Sequence, residues 1–150
     1  MERPDKNKVS EVAGRVIEDM AFLFLSPDGE MEPDFREVTS AVVPYSGPVS
    51  GKLSLTMPDS LLPLVTANML GEEPGFKPSS AQQFDALGEL ANVVTGNLLG
   101  EAAGEGQVFD LGSPKFTNDY PNRFGEDEVH SSAVIHLEDG WAEVSLVMSE

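Results

Sequence analysis

An Asp-Gly pair near the carboxyl end lies between two runs in which apolar and polar residues alternate. The runs are 131–137 and 141–148, and the pair is Asp139-Gly140. Asp-Gly favours the tight turn that joins antiparallel strands, and the alternation predicts strands with one buried face. The sequence therefore predicts a carboxyl-terminal hairpin, which favours an antiparallel sheet over a doubly wound parallel fold.

The rest of the chain adds a second predicted hairpin and three helices. Its predicted strands are 37–44, 49–57 and 107–111. Apolar residues at helical spacing, with Ser, Gly and Pro at the ends, predict helices at 9–24, 58–70 and 79–100. Residues 115–128 are predicted to be a long polar loop. We predict one α/β (α+β) domain over residues 1–150, in which an antiparallel-rich sheet packs with two or three long helices.

Acidic residues greatly outnumber basic ones. The chain has 26 Asp plus Glu and 9 Lys plus Arg, a net charge of −17. A nucleic-acid backbone or an anionic membrane surface binds basic patches, so we expect neither as a partner. The longest apolar run, 20–25, is far shorter than the roughly 20 residues that cross a bilayer. No secretion signal is visible at the N-terminus, so we expect a cytoplasmic protein.

Several kinds of site chemistry find no support in the sequence. The absence of Cys excludes disulfides, thiolate zinc sites and Cys nucleophiles. His130 and His136 would lie roughly 20 Å apart on one extended segment, at ~3.3 Å per residue, which is too far to share a metal. The stretch 47–52 has one residue fewer between its glycines than a phosphate-binding loop requires, so we predict a hairpin turn there.

The third predicted helix has two faces of different character. Its predicted core face consists of Phe84, Leu87, Ala91, Val94 and Leu98. On the nearly opposite side lie Asp85, Glu89, Asn92 and Gly96. Glu89 and Asn92, three residues apart, should project together, and such a pair can bind a partner's cation and a water molecule. An ordinary solvated helix face explains the same spacing.

Two of the predicted helices contain a short stretch of similar sequence. Residues 65–72 resemble 94–101. Two amphipathic helices with similar Gly ends are the preferred explanation, and duplication is the alternative. The first copy has Ser60 and Pro63 where the second has Glu89 and Asn92, so any chemistry of that pair is present once in each chain.

The region 85–114 resembles the signature of the CheC/CheX/FliY chemotaxis phosphatases. The family pattern is Asp or Ser, three residues, Glu, two residues, Asn, 21 residues and Pro. Asp85, Glu89, Asn92 and Pro114 match it in order, with 21 residues between the last two. The N-terminal helix, the strand at 51–55 and the helix end at 69–71 are also similar to CheX. One motif rather than two is typical of CheX and not of CheC.

This resemblance implies a phosphatase that hydrolyses the aspartyl phosphate of a CheY-like response-regulator receiver domain, in chemotaxis or two-component signalling. In the family the Glu pairs with the receiver's active-site Lys, and the Asn enters the receiver site to orient the attacking water. The implied catalytic residues are Glu89 and Asn92, with Asp85 and Pro114 in support. The chain would bind no metal or cofactor of its own, because the receiver domain supplies the Mg²⁺. The resemblance also implies a homodimer.

Two other functions fit the same sequence less well. The first is a non-catalytic CheX-like module that binds a phosphorylated receiver domain. The second is a structural component of a flagellar switch, which usually carries an additional domain. Loss of acyl phosphate from phosphorylated receivers incubated with the protein distinguishes catalysis from binding alone.

Overall fold

Along the described chain, one helix is followed by two strands, two helices and then four further strands with a short 3-10 helix among them. A computed structural model describes residues 2–73, 75–104 and 106–149. The helices are α1 Lys6–Ala21, α2 Leu62–Leu70 and α3 Ser80–Ala103, with a short 3-10 helix at Tyr120–Asn122. The strands are β1 Val38–Ser46, β2 Ser50–Pro58, β3 Asp110–Leu111, β4 Lys115–Thr117, β5 Ser131–Leu137 and β6 Gly140–Ser149.

The six strands form one sheet in which every described pairing is antiparallel. Their order is β3-β1-β2-β6-β5, and β4 also pairs with β1. The β1–β2 hairpin closes at Tyr45 and Gly51, and the β5–β6 hairpin closes at Leu137 and Gly140. The predicted antiparallel-rich fold class is therefore confirmed. The second turn consists of residues 138–139, one position earlier than predicted, because Gly140 is already paired.

The helices pack on one face of the sheet. Helix α3 lies on β1 and β2, helix α1 on β5, and both α1 and α2 contact α3. Fully buried side chains from both layers fill the space between them, including Ile17, Leu87 and Leu98 from the helices and Leu53 and Leu146 from the strands. Each such side chain contributes about 1.5–3 kcal/mol to folding, so this layer holds α3 firmly in place. None of the helices in the described ranges is long and apolar enough to cross a membrane.

Capping residues fix where the long helices begin and end. The Ser79 hydroxyl accepts a bond from the Gln82 backbone N–H, and the Gln82 side chain accepts one from the Ser79 N–H. This capping box starts α3 where the sequence predicts, and the helix continues three residues past the predicted end at 100. Helix α1 ends before the predicted residue 24, because Phe22 adopts a left-handed conformation with φ 54°.

The region 107–128 departs most from its prediction. Strand β3 has two residues rather than the predicted five. The stretch predicted to be a polar loop contains β4 and the 3-10 helix. β4 pairs with β1 through Phe116 and Ala41, an edge pairing that three residues of sequence are too short to reveal.

Residues 120–124 cover part of the sheet face that points away from the helices. There Arg123 lies 3.5 Å from the Glu143 carboxylate and donates hydrogen bonds to Ser54 and Ser145. Tyr120 donates to the same carboxylate. Burial raises the pKa of Glu143 against the opposing effect of these partners. This buried network fixes residues 120–124, which belong to the stretch that the sequence predicts to be a polar loop.

Candidate functional site

The outward face of α3 carries the predicted site residues. Asp85, Glu89 and Gly96 are exposed, and Asn92 is half-buried. The opposite side is buried in the core, as predicted for Leu87, Ala91, Val94 and Leu98. Glu89 and Asn92 are three residues apart on a regular helix, so they lie side by side on the same surface.

The prediction that Phe84 belongs to the core face is wrong. Its side chain is 38% exposed, and its ring contacts that of Phe116 with centroids 5.0 Å apart. Phe84 lies in the second turn of α3, where its aromatic neighbour belongs to the edge strand β4. A three-residue strand covers only one side of the ring. Helical spacing predicts the direction in which a side chain points, but it does not predict how far the sheet extends beneath the helix.

The structure brings Pro114 to the same face of α3. A Cβ added to Gly88 would lie 3.3 Å from the Pro114 Cγ and 3.0 Å from the Phe116 Cζ. A Cβ added to Gly96 would lie 3.9 Å from the Leu111 side chain. The chain from Leu111 to Phe116 therefore runs along α3 from Gly96 to Gly88, and Asn92 lies midway between these glycines on the helix.

The carboxylates of this face have no cationic partner among the described residues. Within the described ranges, neither Asp85 nor Glu89 forms an ion pair, whereas Glu101 at the end of the same helix binds Lys8 and Arg15. Those two cations hold the pKa of Glu101 below its usual value. The Glu89 carboxylate is thus available to a cation on another molecule.

The amide of Asn92 is incompletely satisfied. Its Oδ1 is buried and accepts no hydrogen bond from any described residue. By contrast, Asn97 on α3 donates to the Val93 carbonyl at 2.9 Å, and Asn68 on α2 donates to the Ala21 carbonyl at 2.8 Å. An unpaired buried carbonyl costs about 1–3 kcal/mol. A buried polar atom without a partner in its own chain is satisfied by ordered water or by a group on another molecule, or belongs to a functional site.

In the part of the chain that the structure describes, no three His, Asp or Glu side chains come together as a metal site. His130 contacts Arg3, and His136 lies in β5 beside Gly29. Glu89 is exposed on the outer surface of a helix, whereas small-molecule sites are concave. This arrangement suits contact with another macromolecule.

A protein-family model and solved structures of known proteins both match this chain. The family model described as chemotaxis phosphatase CheX matches residues 39–138, which include the entire Asp85–Pro114 region. No protein of curated function matches the sequence significantly.

Solved structures of similar fold include CheX proteins and a FliY protein. One is CheX from Borrelia burgdorferi, in a complex with CheY, BeF3 and Mg²⁺; it is 20% identical, the match covers 99% of this chain and 100% of that one, and the TM-score is 0.69. CheX from Vibrio vulnificus is 23% identical over 95% of both chains, with a TM-score of 0.64. FliY from Thermotoga maritima is 16% identical over 95% of this chain and 89% of that one, with a TM-score of 0.58. The family match covers two thirds of the sequence, and the chain belongs to the family of the chemotaxis phosphatase CheX.

Proposed function

We propose that Glu89 and Asn92 are the catalytic residues with which this member of a phosphatase family hydrolyses the aspartyl phosphate of a CheY-like receiver domain. The observation that carries the proposal is that, among the described residues, the Asn92 Oδ1 accepts no hydrogen bond and the Glu89 carboxylate, three residues earlier on α3, forms no ion pair. Both groups lie on a face that nothing else in the described chain uses. The similar CheX of Borrelia burgdorferi is solved together with CheY, BeF3 and Mg²⁺, which supports a receiver as the partner.

Glu89 would hold the two proteins in register. Its exposed carboxylate pairs with the active-site Lys of the receiver, as the family resemblance implies. Pairing of the Lys with Glu89 sets the angle and depth at which α3 meets the receiver. Asp85, one helical turn earlier on the same face, adds negative potential that favours the approach of the same cation.

Asn92 would place the attacking water. A half-turn of its terminal torsion exchanges Oδ1 and Nδ2, so docking can turn either atom toward the water. The amide oxygen can then accept a hydrogen bond from the water and hold the water oxygen in line with the bond from phosphorus to the aspartate. Attack breaks that bond, releases inorganic phosphate and regenerates the carboxylate. Phosphoryl transfer depends mainly on positioning and charge stabilisation, so one oriented water accounts for much of the catalysis.

The receiver would supply the metal. The Mg²⁺ that neutralises the transferred phosphoryl group belongs to the receiver domain, and this chain contributes no ligand to it. The proposed roles of α3 are then to pair with the Lys and to orient the water.

The assembly and location follow from the resemblance as further proposals. We expect a cytoplasmic homodimer that leaves the Glu89–Asn92 face open. Static light scattering should give twice the 16.1 kDa mass of one chain at micromolar concentration. A single-chain mass would contradict the dimer without touching the proposed chemistry.

Loss of the acyl phosphate from purified phosphorylated receivers tests the proposed function. The wild type should accelerate the loss, Asn92→Ala should not, and Asn97→Ala on the same helix is the matched control. If no receiver loses its phosphate faster but one binds in its phosphorylated form, the chain is a binding module. Full activity of Asn92→Ala would show that the proposed mechanism is wrong.

A further inference from the structure

Three partly exposed apolar side chains border the Glu89–Asn92 face. Phe84 and Phe116 are each 38% exposed and contact one another, and Leu111 is 37% exposed. Phe116 also lies against α3 at Gly88, and Leu111 lies against it near Gly96. We call these three residues the apolar rim.

The apolar rim lies on both sides of Asn92 along the helix axis. Phe84 precedes Asn92 by eight residues, or about 12 Å at 1.5 Å per residue. Leu111 packs beside Gly96, four residues or about 6 Å past Asn92. The Asp85 and Glu89 carboxylates stand on the same outward surface. The result is a polar centre with apolar side chains at its two ends.

A partner protein that contacts Asn92 would also cover the apolar rim, because protein interfaces are large. A standard interface covers about 800 Å² on each partner, which corresponds to a patch about 16 Å in radius. A patch of this size centred on Asn92 includes both ends of the rim. Residues that lose their remaining exposure near the centre of an interface, aromatic ones above all, tend to carry its affinity.

We propose that the apolar rim is the docking surface that sets affinity for the receiver domain, separately from the catalytic step. This inference rests on the proposed function. It commits to a receiver that presents apolar side chains around its phosphorylation site, next to the Lys that Glu89 pairs. The rim gives no group to the reaction, so it acts on complex formation and leaves the oriented water in place.

The rim can be tested by steady-state kinetics and by equilibrium binding. Phe84→Ala and Phe116→Ala should each raise KM for the phosphorylated receiver about tenfold, which is about 1.4 kcal/mol. The Kd for a receiver activated with BeF3 and Mg²⁺ should rise by a similar factor, and kcat should stay within about twofold. Phe84→Leu should recover most of the affinity, because it keeps an apolar side chain at the rim.

Phe24→Ala is the matched control. Phe24 is 63% exposed, and its neighbour Leu25 bridges to β5, at the opposite edge of the sheet from β4. This variant should leave both KM and Kd unchanged. Thermal unfolding of each variant separates loss of affinity from loss of fold, and only variants that unfold within a few degrees of the wild type are compared.

The outcomes separate this inference from the proposed function. If Asn92→Ala loses turnover while Phe84→Ala and Phe116→Ala keep wild-type KM and Kd, the rim is not the docking surface and the catalytic proposal stands. A fall in kcat with unchanged KM also overturns the docking role, because it makes the rim a positioning element. If the wild type binds the receiver without hydrolysing its phosphate, the Kd values of the variants alone test whether the rim is the docking surface. A wild type that neither binds nor dephosphorylates any receiver overturns both proposals.

Discussion

Pro114 packs on Gly88, the residue before Glu89, with its Cγ 3.3 Å from where a Gly88 Cβ would be. The 21 residues between Asn92 and Pro114 thus have a structural meaning. Those that the structure describes include the remaining turns of α3 and the short strand β3 on β1, which lies beside the helix. A chain of this length returns to the helix at the turn that carries the site, which is why a proline so distant in sequence belongs to the same motif.

Replacement of Asn92 should separate activity from stability. Asn92→Ala should lower stimulated dephosphorylation by about 10²–10³, the loss typical of one preorganised hydrogen-bonding group. The same change removes an unpaired buried carbonyl and introduces the best helix former, so it should stabilise the fold by roughly 0.5–1 kcal/mol. Chemical denaturation and a phosphate-release assay measure the two effects.

Asn97→Ala provides the comparison for that result. Asn97 is exposed, and among the described residues its side chain bonds to the Val93 carbonyl of the same helix. The Asn97→Ala variant should keep full activity. A destabilised Asn92→Ala variant would mean that its amide is satisfied in the folded protein and is not held ready for a partner.

Neutralising Glu89 should act on the encounter with the receiver. Glu89→Gln keeps the shape of the side chain but leaves the partner's Lys without its anion. We expect kcat/KM to fall about 10–100-fold and to depend less steeply on salt, since one charge pair is lost. Asp85→Asn removes the same charge one turn away and should cost less than Glu89→Gln. Equal losses in the two variants would indicate general electrostatic attraction in place of a specific pair.

A methyl group at Gly88 should disturb the site while leaving the fold intact. Gly88→Ala puts a Cβ 3.0 Å from the Phe116 ring and 3.3 Å from Pro114, so these neighbours must move by a few tenths of an ångström. Ala gains about 1 kcal/mol of helix propensity over Gly, which offsets the crowding. Stability should change by less than about 1 kcal/mol, whereas kcat/KM should fall several-fold. Gly100→Ala on the same helix, with open space around it, is the control and should be fully active.

The sequence was most informative where one pattern repeats over many residues. The two long hairpins and all three helices were predicted to within a few residues, because each has apolar residues at strand or helix spacing. The prediction of one buried face was wrong for β6, which is buried on both faces, as are β1 and β2. The exposure of Phe84 was not predictable, since it depends on how far the edge strand β4 extends beneath α3. The Arg123–Glu143 contact joins residues 20 apart, and no local pattern distinguishes them from other charged residues in so acidic a chain. The unpaired Oδ1 of Asn92 likewise follows from the packing around α3, which spacing does not encode.

The buried carboxylate of Glu143 should make stability depend on pH. Burial raises its pKa in the folded protein, so the folded state binds this proton more tightly than the unfolded chain. The group's contribution is therefore full below the unfolded pKa, near 4.3, and is lost as pH rises through the folded pKa. Glu143→Gln removes that loss, although Arg123 then loses its carboxylate at every pH.

The midpoint of thermal unfolding, compared between Glu143→Gln and the wild type from pH 5 to pH 8, measures this effect. The unfolding midpoint of the variant minus that of the wild type should be larger at pH 8 than at pH 5. Glu128→Gln makes the same change of net charge at an exposed position and corrects for general repulsion within the acidic chain. A difference between Glu143→Gln and the wild type that stays constant across this range, after that correction, would mean that the ion pair with Arg123 outweighs the cost of burying the carboxylate.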